Sequence, residues 1–289
     1  MNRIRAMDSL ISLKNVVITL ALTALTLPLV SHAEQSFRTR AHIDQQLTAS
    51  TDDIKAEINF GRNIAARILG RLPLLKDEKL TRYVNLVGKS LALHSARTEI
   101  DYYFAILDSS HVNAYSAPGG YIFITTGALM QMEDEAELAA VLAHEIAHIT
   151  EKHIVNTLKI KANDNSTTAG IGQILGASTN TTKAIFTQVV DKAINILFEQ
   201  GYQHQDEISA DSVGLELLAT TGYDPMALPR YLSRLQNNLR EHPDNASSTH
   251  PPTQARLTNL TAIIEADQLH TLALPKATDR FKHYVTYTK

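Results

Sequence analysis

Residues 135–155 read EAELAAVLAHEIAHITEKHIV. The apolar positions keep a helical period throughout, and Asp134 stands where an N-cap belongs, so the stretch predicts one long helix buried along its apolar face. Inside it, His144-Glu145-Ile146-Ala147-His148 places two histidines four residues apart. On a helix that spacing puts both imidazoles on one face, one turn apart, within reach of a single metal ion at Zn–N distances of about 2.0–2.1 Å. Glu145 lies one step round the helix. It is outside the ligand shell but beside it, where a carboxylate can take a proton from a metal-activated water. Two histidines in a buried helix are costly without a partner, so the pattern reads as a metal site. His153, five residues past His148, falls about 140° away around the helix and reads as a surface histidine.

A catalytic zinc site needs three protein ligands and one open position. The third is sought in QHQDEISADSVG (203–214). Glu207 and Asp211 are again four apart on a predicted helix. Glu207 is the candidate third ligand, and Asp211, one turn on, can accept the free N–H of a ligand histidine and fix its tautomer. An acidic first turn also suits the helix dipole. That accounts for Asp206 and Glu207 but not for the pairing with the two histidines.

Around these segments the chain reads as mostly helical. Helices are predicted over 52–72, 76–95, 183–198, 206–220, 225–240 and 252–267, with a further helical pattern from Gly127. A strand is predicted over 99–108, and two extended segments within 113–127 flank Pro118-Gly119-Gly120, a strong turn signal. Residues 162–182, rich in Asn, Thr, Ser and Gly around a short apolar island at 170–177, read as a mobile loop with a weak helix inside it, and the connection over 159–182 is long enough to act as a lid. No linker-like tract or internal repeat divides the chain, so one domain is expected.

Composition narrows the classes. The 289 residues are 44% hydrophobic and 20% charged, with a net charge of −3 and no cysteine. No basic stripe exists, which excludes nucleic acid as an expected partner. The absence of cysteine removes both a disulfide framework and a lipoprotein anchor. At the N-terminus, Arg3, Arg5 and Lys14 precede the apolar run VVITLALTALTLPLV, and Ser31-His32-Ala33 follows with small residues. The order is that of a secretory signal, and the run is shorter than the roughly 20 residues of a spanning helix. The expected organisation is a signal peptide over 1–33 and a catalytic domain over 34–289, placed in the periplasm. An uncleaved anchor is the alternative.

HEIAH followed by Glu207, Ala210, Asp211 and Gly214 in the pattern E-x-x-A-D-x-x-G resembles the gluzincin peptidases of family M48, which include HtpX-, Oma- and BepA-like members. NAYSAPGGYIFITTGAL (113–129), GYDP (222–225) and THPPTQAR (249–256) resemble further segments of the family in the same order. The resemblance implies an α+β, mostly helical zincin-type domain with a small sheet beside the HExxH helix, one Zn2+ per chain, and hydrolysis of peptide bonds in proteins. Its implied partners are unfolded or misassembled protein substrates and periplasmic or outer-membrane proteins. His250, in the T-H-P segment, either donates to the tetrahedral oxyanion, or occupies the fourth position on the metal as a latch, or is simply a loop histidine before a proline. Asn113 opens the edge strand, where it is either a contact for an extended substrate adding by β-augmentation or an ordinary turn amide. Two positions depart from the family: Ser209 stands where a second acid is usual, and His204 where an arginine is frequent. Only residues 268–289 follow the last predicted helix, so no tetratricopeptide domain is expected. A non-proteolytic binder with a capped zinc site stays open beside the peptidase.

Overall fold

The computed structural model describes residues 51–158, 180–241, 249–251 and 253–286. The predicted leader at 1–33 and the predicted loop from 159 through 179 lie outside the described residues. What is described falls within one unit, Gln45–Lys289.

Helix α1 (Thr51–Arg71) is amphipathic, with Phe60, Ile64 and Ile68 fully buried at a spacing of four. Helix α2 (Glu78–Ala92) starts on Asp77, whose carboxylate accepts the Leu80 N–H at 2.9 Å. Three strands follow: β1 (Tyr103–Leu107), β2 (Ala114–Ala117) and β3 (Tyr121–Thr125). The sheet order is β1-β3-β2, with β1 parallel to β3 and β2 antiparallel to it. The β2–β3 hairpin turns through Gly119 and Gly120, at φ 76° and 96°. A side chain on Gly120 would sit 2.0 Å from the Asp101 carbonyl oxygen, so the turn requires glycine there.

The sheet is covered on both faces, and the period of two along the strands sorts its side chains. Phe104, Ile106, Ile122 and Ile124 pack with α2 and the central helix, whereas Leu107, Tyr115 and Phe123 pack with α1 and the later helix α6. Thr125 caps the short helix α3 (Thr126–Met130). Asp134 then caps α4 (Glu135–Thr150), accepting the Glu137 N–H at 2.9 Å, as its position in the sequence predicts. Every residue of α4 from Glu135 to Ile149 is buried, so the helix is enclosed all round rather than along one face.

The rest is helical: α5 (His153–Thr157), α6 (Asn180–Asn195) with a π-helical turn at Ile196–Gln200, α7 (His204–Thr220), α8 (Ala227–Glu241), α9 (Gln254–Ala266) and α10 (Thr278–Tyr284). The fold is α+β and mostly helical, with the small sheet beside the HExxH helix. No helix among the described residues is long and apolar enough to cross a membrane.

Two departures from the sequence reading matter for the site. The strand expected over 99–108 is confined to 103–107. The long helix expected through residue 155 ends at Thr150, because Lys152 takes the left-handed conformation at φ 55°. That conformation costs an L-residue about 1–2 kcal/mol. The turn delivers Ile154 into the core between α1 and α6, and carries His153 inward, so burial outweighs the local strain.

Candidate metal centre

The site forms where α4 and α7 lie side by side. They approach closely because position 214 is glycine: a Cβ there would stand 3.0 Å from the His144 backbone nitrogen. The fold brings His144, His148, Glu207 and His250 together, each offering one donor atom within 4.8 Å of the others. His144 Nε2 is 3.0 Å from His148 Nε2 and 3.4 Å from His250 Nδ1. Glu207 reaches His144 and His148 at 3.5 Å each and His250 Nδ1 at 2.8 Å. Donors bound to one tetrahedral zinc at bonds of about 2.0–2.1 Å stand about 3.3 Å apart. The observed separations bracket that figure, and the nitrogen and oxygen donor set suits zinc.

The charge balance also fits a cation. Around the donors, Glu145, Glu207 and Asp211 are all buried, and the buried guanidinium of Arg256 faces two of them. Burial alone would raise Glu207, yet His250 and Arg256 hold it well below the usual carboxylate range. Asp211 behaves alike: burial opposes its charge, and Arg256 and His144 outweigh burial. Burial likewise disfavours a charge on His144, but Asp211 and Glu207 overcome it and lift its pKa to about 9. Carboxylates that favour a proton on this ring favour a metal ion in its place. His148, with burial dominant, is held well below its ordinary value and so presents a neutral imidazole. One buried oxygen of Glu145, Oε2, has no hydrogen-bond partner, and its other oxygen lies 3.8 Å from His250 Nε2. This carboxylate therefore faces the cluster without belonging to it.

Three residues that the sequence reading left without a role complete the surroundings. Arg256 is 2% exposed and grips Asp211 with two bonds of 2.7 Å; its Nη1 reaches Glu207 at 2.8 Å. Asp211 in turn lies 3.0 Å from His144 Nδ1. The arginine sits in THPPTQAR, so its signal was in the sequence, but nothing local ties it to positions 207 and 211. Tyr202 stacks on His148 with ring centroids 3.9 Å apart. His153 is the correction: expected at the surface, it is 5% exposed, and its Nδ1 lies 2.8 Å from His148 Nδ1. The helical angle that placed it elsewhere does not apply, because the helix has already ended at Thr150.

Asn113 does not join the donors. Its amide donates to the Thr249 hydroxyl at 3.0 Å, and so ties β2 to the segment carrying His250. It lines an apolar pocket that opens beside His144 and Glu145, walled by Val141, Leu228, Tyr231 and Leu232. His204 is exposed at the first turn of α7, and Ser209 is half-buried.

Comparison with known proteins places the chain in a family. The profile of peptidase family M48 matches residues 76–264. The β-barrel assembly-enhancing protease of Escherichia coli K12 is 26% identical over 234 residues, which is 80% of this chain and 48% of that protein. A putative β-barrel assembly-enhancing protease of Vibrio cholerae is 28% identical over 217 residues, covering 74% and 45%. The mitochondrial metalloendopeptidase OMA1 of Bos taurus is 28% identical over 173 residues, covering 58% and 33%. The chain spans about half the length of the curated relatives it matches. Because the family profile spans residues 76–264, which include the HExxH helix and the downstream acidic helix, this chain belongs to peptidase family M48 and carries its metallopeptidase domain.

Proposed function

We propose that the chain is a zinc-dependent metalloendopeptidase, exported by its leader (1–33) and acting through residues 34–289 on unfolded or misassembled proteins of the periplasm and outer membrane. The observation that carries this reading is the convergence of His144, His148 and Glu207 on one point, with the Glu145 carboxylate beside it. The leader pattern and the names of the β-barrel assembly-enhancing relatives support the location and the substrates.

In this reading zinc is held by His144, His148 and Glu207, and when bound it polarises the scissile carbonyl and acidifies water. Glu145 accepts the proton of the attacking water and passes it to the leaving amine. Asp211 accepts the His144 Nδ1–H and keeps that ring in the ligand tautomer. Asn113 and β2 offer the edge to which an extended substrate adds. In the structure the Asn113 amide is engaged by Thr249, so release of the 249–251 segment frees both the strand end and the metal face. His250 is the one donor of the four that is carried by a loop rather than a helix, which makes it the detachable one.

A second reading has its own observation. Four protein donors make a closed site, as in structural zinc centres, and a permanently seated His250 would leave a non-proteolytic binder. One experiment separates them: zinc content and casein cleavage for wild type, Glu145→Gln and His250→Ala. The peptidase reading expects Glu145→Gln to retain zinc and lose cleavage by 100-fold or more, on the order of a lost general base. Cleavage by Glu145→Gln at the wild-type rate would sink the mechanism. Higher activity in His250→Ala marks a latch, and lower activity marks an oxyanion donor. Zinc-loaded wild type and His250→Ala that are both inert favour the binder.

A further inference from the structure

His148 turns Nε2 toward the donor cluster, 3.0 Å from His144 Nε2 and 3.5 Å from Glu207. Only Nδ1 is left to hydrogen-bond, and it meets His153 Nδ1 at 2.8 Å. Two imidazole nitrogens at that distance share one proton, so one ring donates and the other accepts. When the Nε2 lone pair of His148 is given to a metal, its proton must lie on Nδ1, and His153 Nδ1 must be the acceptor. The remaining proton of His153 then sits on Nε2, which faces the Asp206 carboxylate at 4.0 Å.

We infer that His153, backed by Asp206, is a positioning residue that fixes the tautomer and ring orientation of His148 for metal binding. The inference rests on the zinc reading above and adds to it a residue that acts on the metal through a ligand. The geometry leaves His148 little choice of orientation. Tyr202 lies nearly parallel to its ring at 21°, which fixes the plane. His153 approaches at 73° with centroids 4.9 Å apart, which fixes rotation within that plane.

The left-handed turn at Lys152 builds the contact, because an uninterrupted helix would carry residue 153 away from residue 148. The first ligand is treated differently. His144 faces the Asp211 carboxylate directly at 3.0 Å, whereas His148 faces a neutral ring with a carboxylate standing 4.0 Å behind it. A carboxylate polarises an imidazole more strongly than a second imidazole does. His148 is therefore the weaker base of the two ligands, and the more dependent on being aimed correctly.

The test is zinc affinity by chelator competition on the full chain, for wild type, His153→Phe and His153→Asn. Phenylalanine keeps the ring and removes the acceptor; asparagine returns an oxygen near the position of Nδ1. Loss of such a partner typically weakens metal binding about 10–100-fold. His153→Phe should show that loss, and His153→Asn should recover most of it, which a simple packing defect would not do. Long-range proton–nitrogen correlation on the zinc-loaded wild type supplies a readout that does not depend on any variant folding. It should place the His148 proton on Nδ1 and the His153 proton on Nε2. His153→Phe binding zinc as tightly as wild type, or a proton on His153 Nδ1 in the loaded protein, overturns the inference. A wild type that takes up no zinc overturns the metal reading itself, a result distinct from either.

Discussion

At the residue scale, Arg256 shows how the proposed zinc site is balanced. Its guanidinium takes one Glu207 oxygen at 2.8 Å, and the other Glu207 oxygen is the one that approaches His148 and His250. It also satisfies both Asp211 oxygens, so that Asp211 stays ionised and can hold His144. Removing one partner from a buried charge network typically costs about 3–5 kcal/mol, because the other charges are left unpaired. Arg256→Met is therefore expected to destabilise the metal-free protein by about 3 kcal/mol or more. Arg256→Lys should recover only part, since an ammonium cannot span two carboxylates as the planar fork does. Urea unfolding in the presence of a chelator measures both. A Met variant within 1 kcal/mol of wild type would mean that the network is not what holds Asp211 and Glu207 in place.

At the scale of elements, the centre depends on how closely α7 lies against α4. A Cβ at position 214 would meet the His144 backbone nitrogen at 3.0 Å and its Cα at 3.1 Å, and α4 has no free side toward which to retreat. Alanine is also the better helix former by about 1 kcal/mol, so Gly214→Ala should change stability little while it separates the ligands. A shift of a few tenths of an ångström uses up most of the roughly 0.5 Å within which such a site is held, so zinc binding should weaken measurably. Gly70→Ala in α1 is the control, because nothing lies within 4 Å of its added carbon. It should leave zinc affinity unchanged and add about 0.5–1 kcal/mol of stability. Equal zinc affinity in Gly214→Ala and wild type would show that helix spacing does not set the site. The same two helices show what a sequence can reveal. Spacings of four inside an unbroken helix are legible, so His144 with His148 and Glu207 with Asp211 could be paired on paper. The hairpin at Pro118-Gly119-Gly120 was legible because only glycine tolerates its geometry. Lys152 carries no such mark: a lysine at φ 55° is chosen by the burial of His153 and Ile154, which is a tertiary effect. Arg256 could not be tied to Asp211 either, since the two meet across 45 positions of chain.

At the scale of the whole molecule, the end of α4 remote from its histidines is an anchor for later parts of the chain. Glu135 is 1% exposed and accepts bonds from Tyr83 of α2 at 2.9 Å, from Tyr223 at 2.8 Å and from the Arg280 guanidinium of α10. Asp134 and Glu137 are held by Arg230 and Arg234 of α8. The HExxH helix is thus fixed at its first turn by elements from both ends of the described chain. Burial opposes ionisation of Glu135, but Arg280 and the two tyrosine hydroxyls outweigh it and hold its pKa below the ordinary 4.5. A carboxylate depressed in the folded state contributes stability that is fully present above its unfolded pKa. That contribution is lost as pH falls through the folded value. Glu137 works in the opposite sense, since burial pushes its pKa up and its charge costs stability at neutral pH. A profile of the wild type alone would mix the two, whereas the difference between wild type and Glu135→Gln isolates Glu135. With Arg280 partly in solvent, that difference should be about 2 kcal/mol at pH 7. It should stay level down to about pH 5 and shrink steadily below 4.5. Urea midpoints of the two metal-free proteins from pH 7 to pH 3 measure it, and a difference that holds constant or grows toward pH 3 would show that Glu135 is not a depressed, charge-paired anchor.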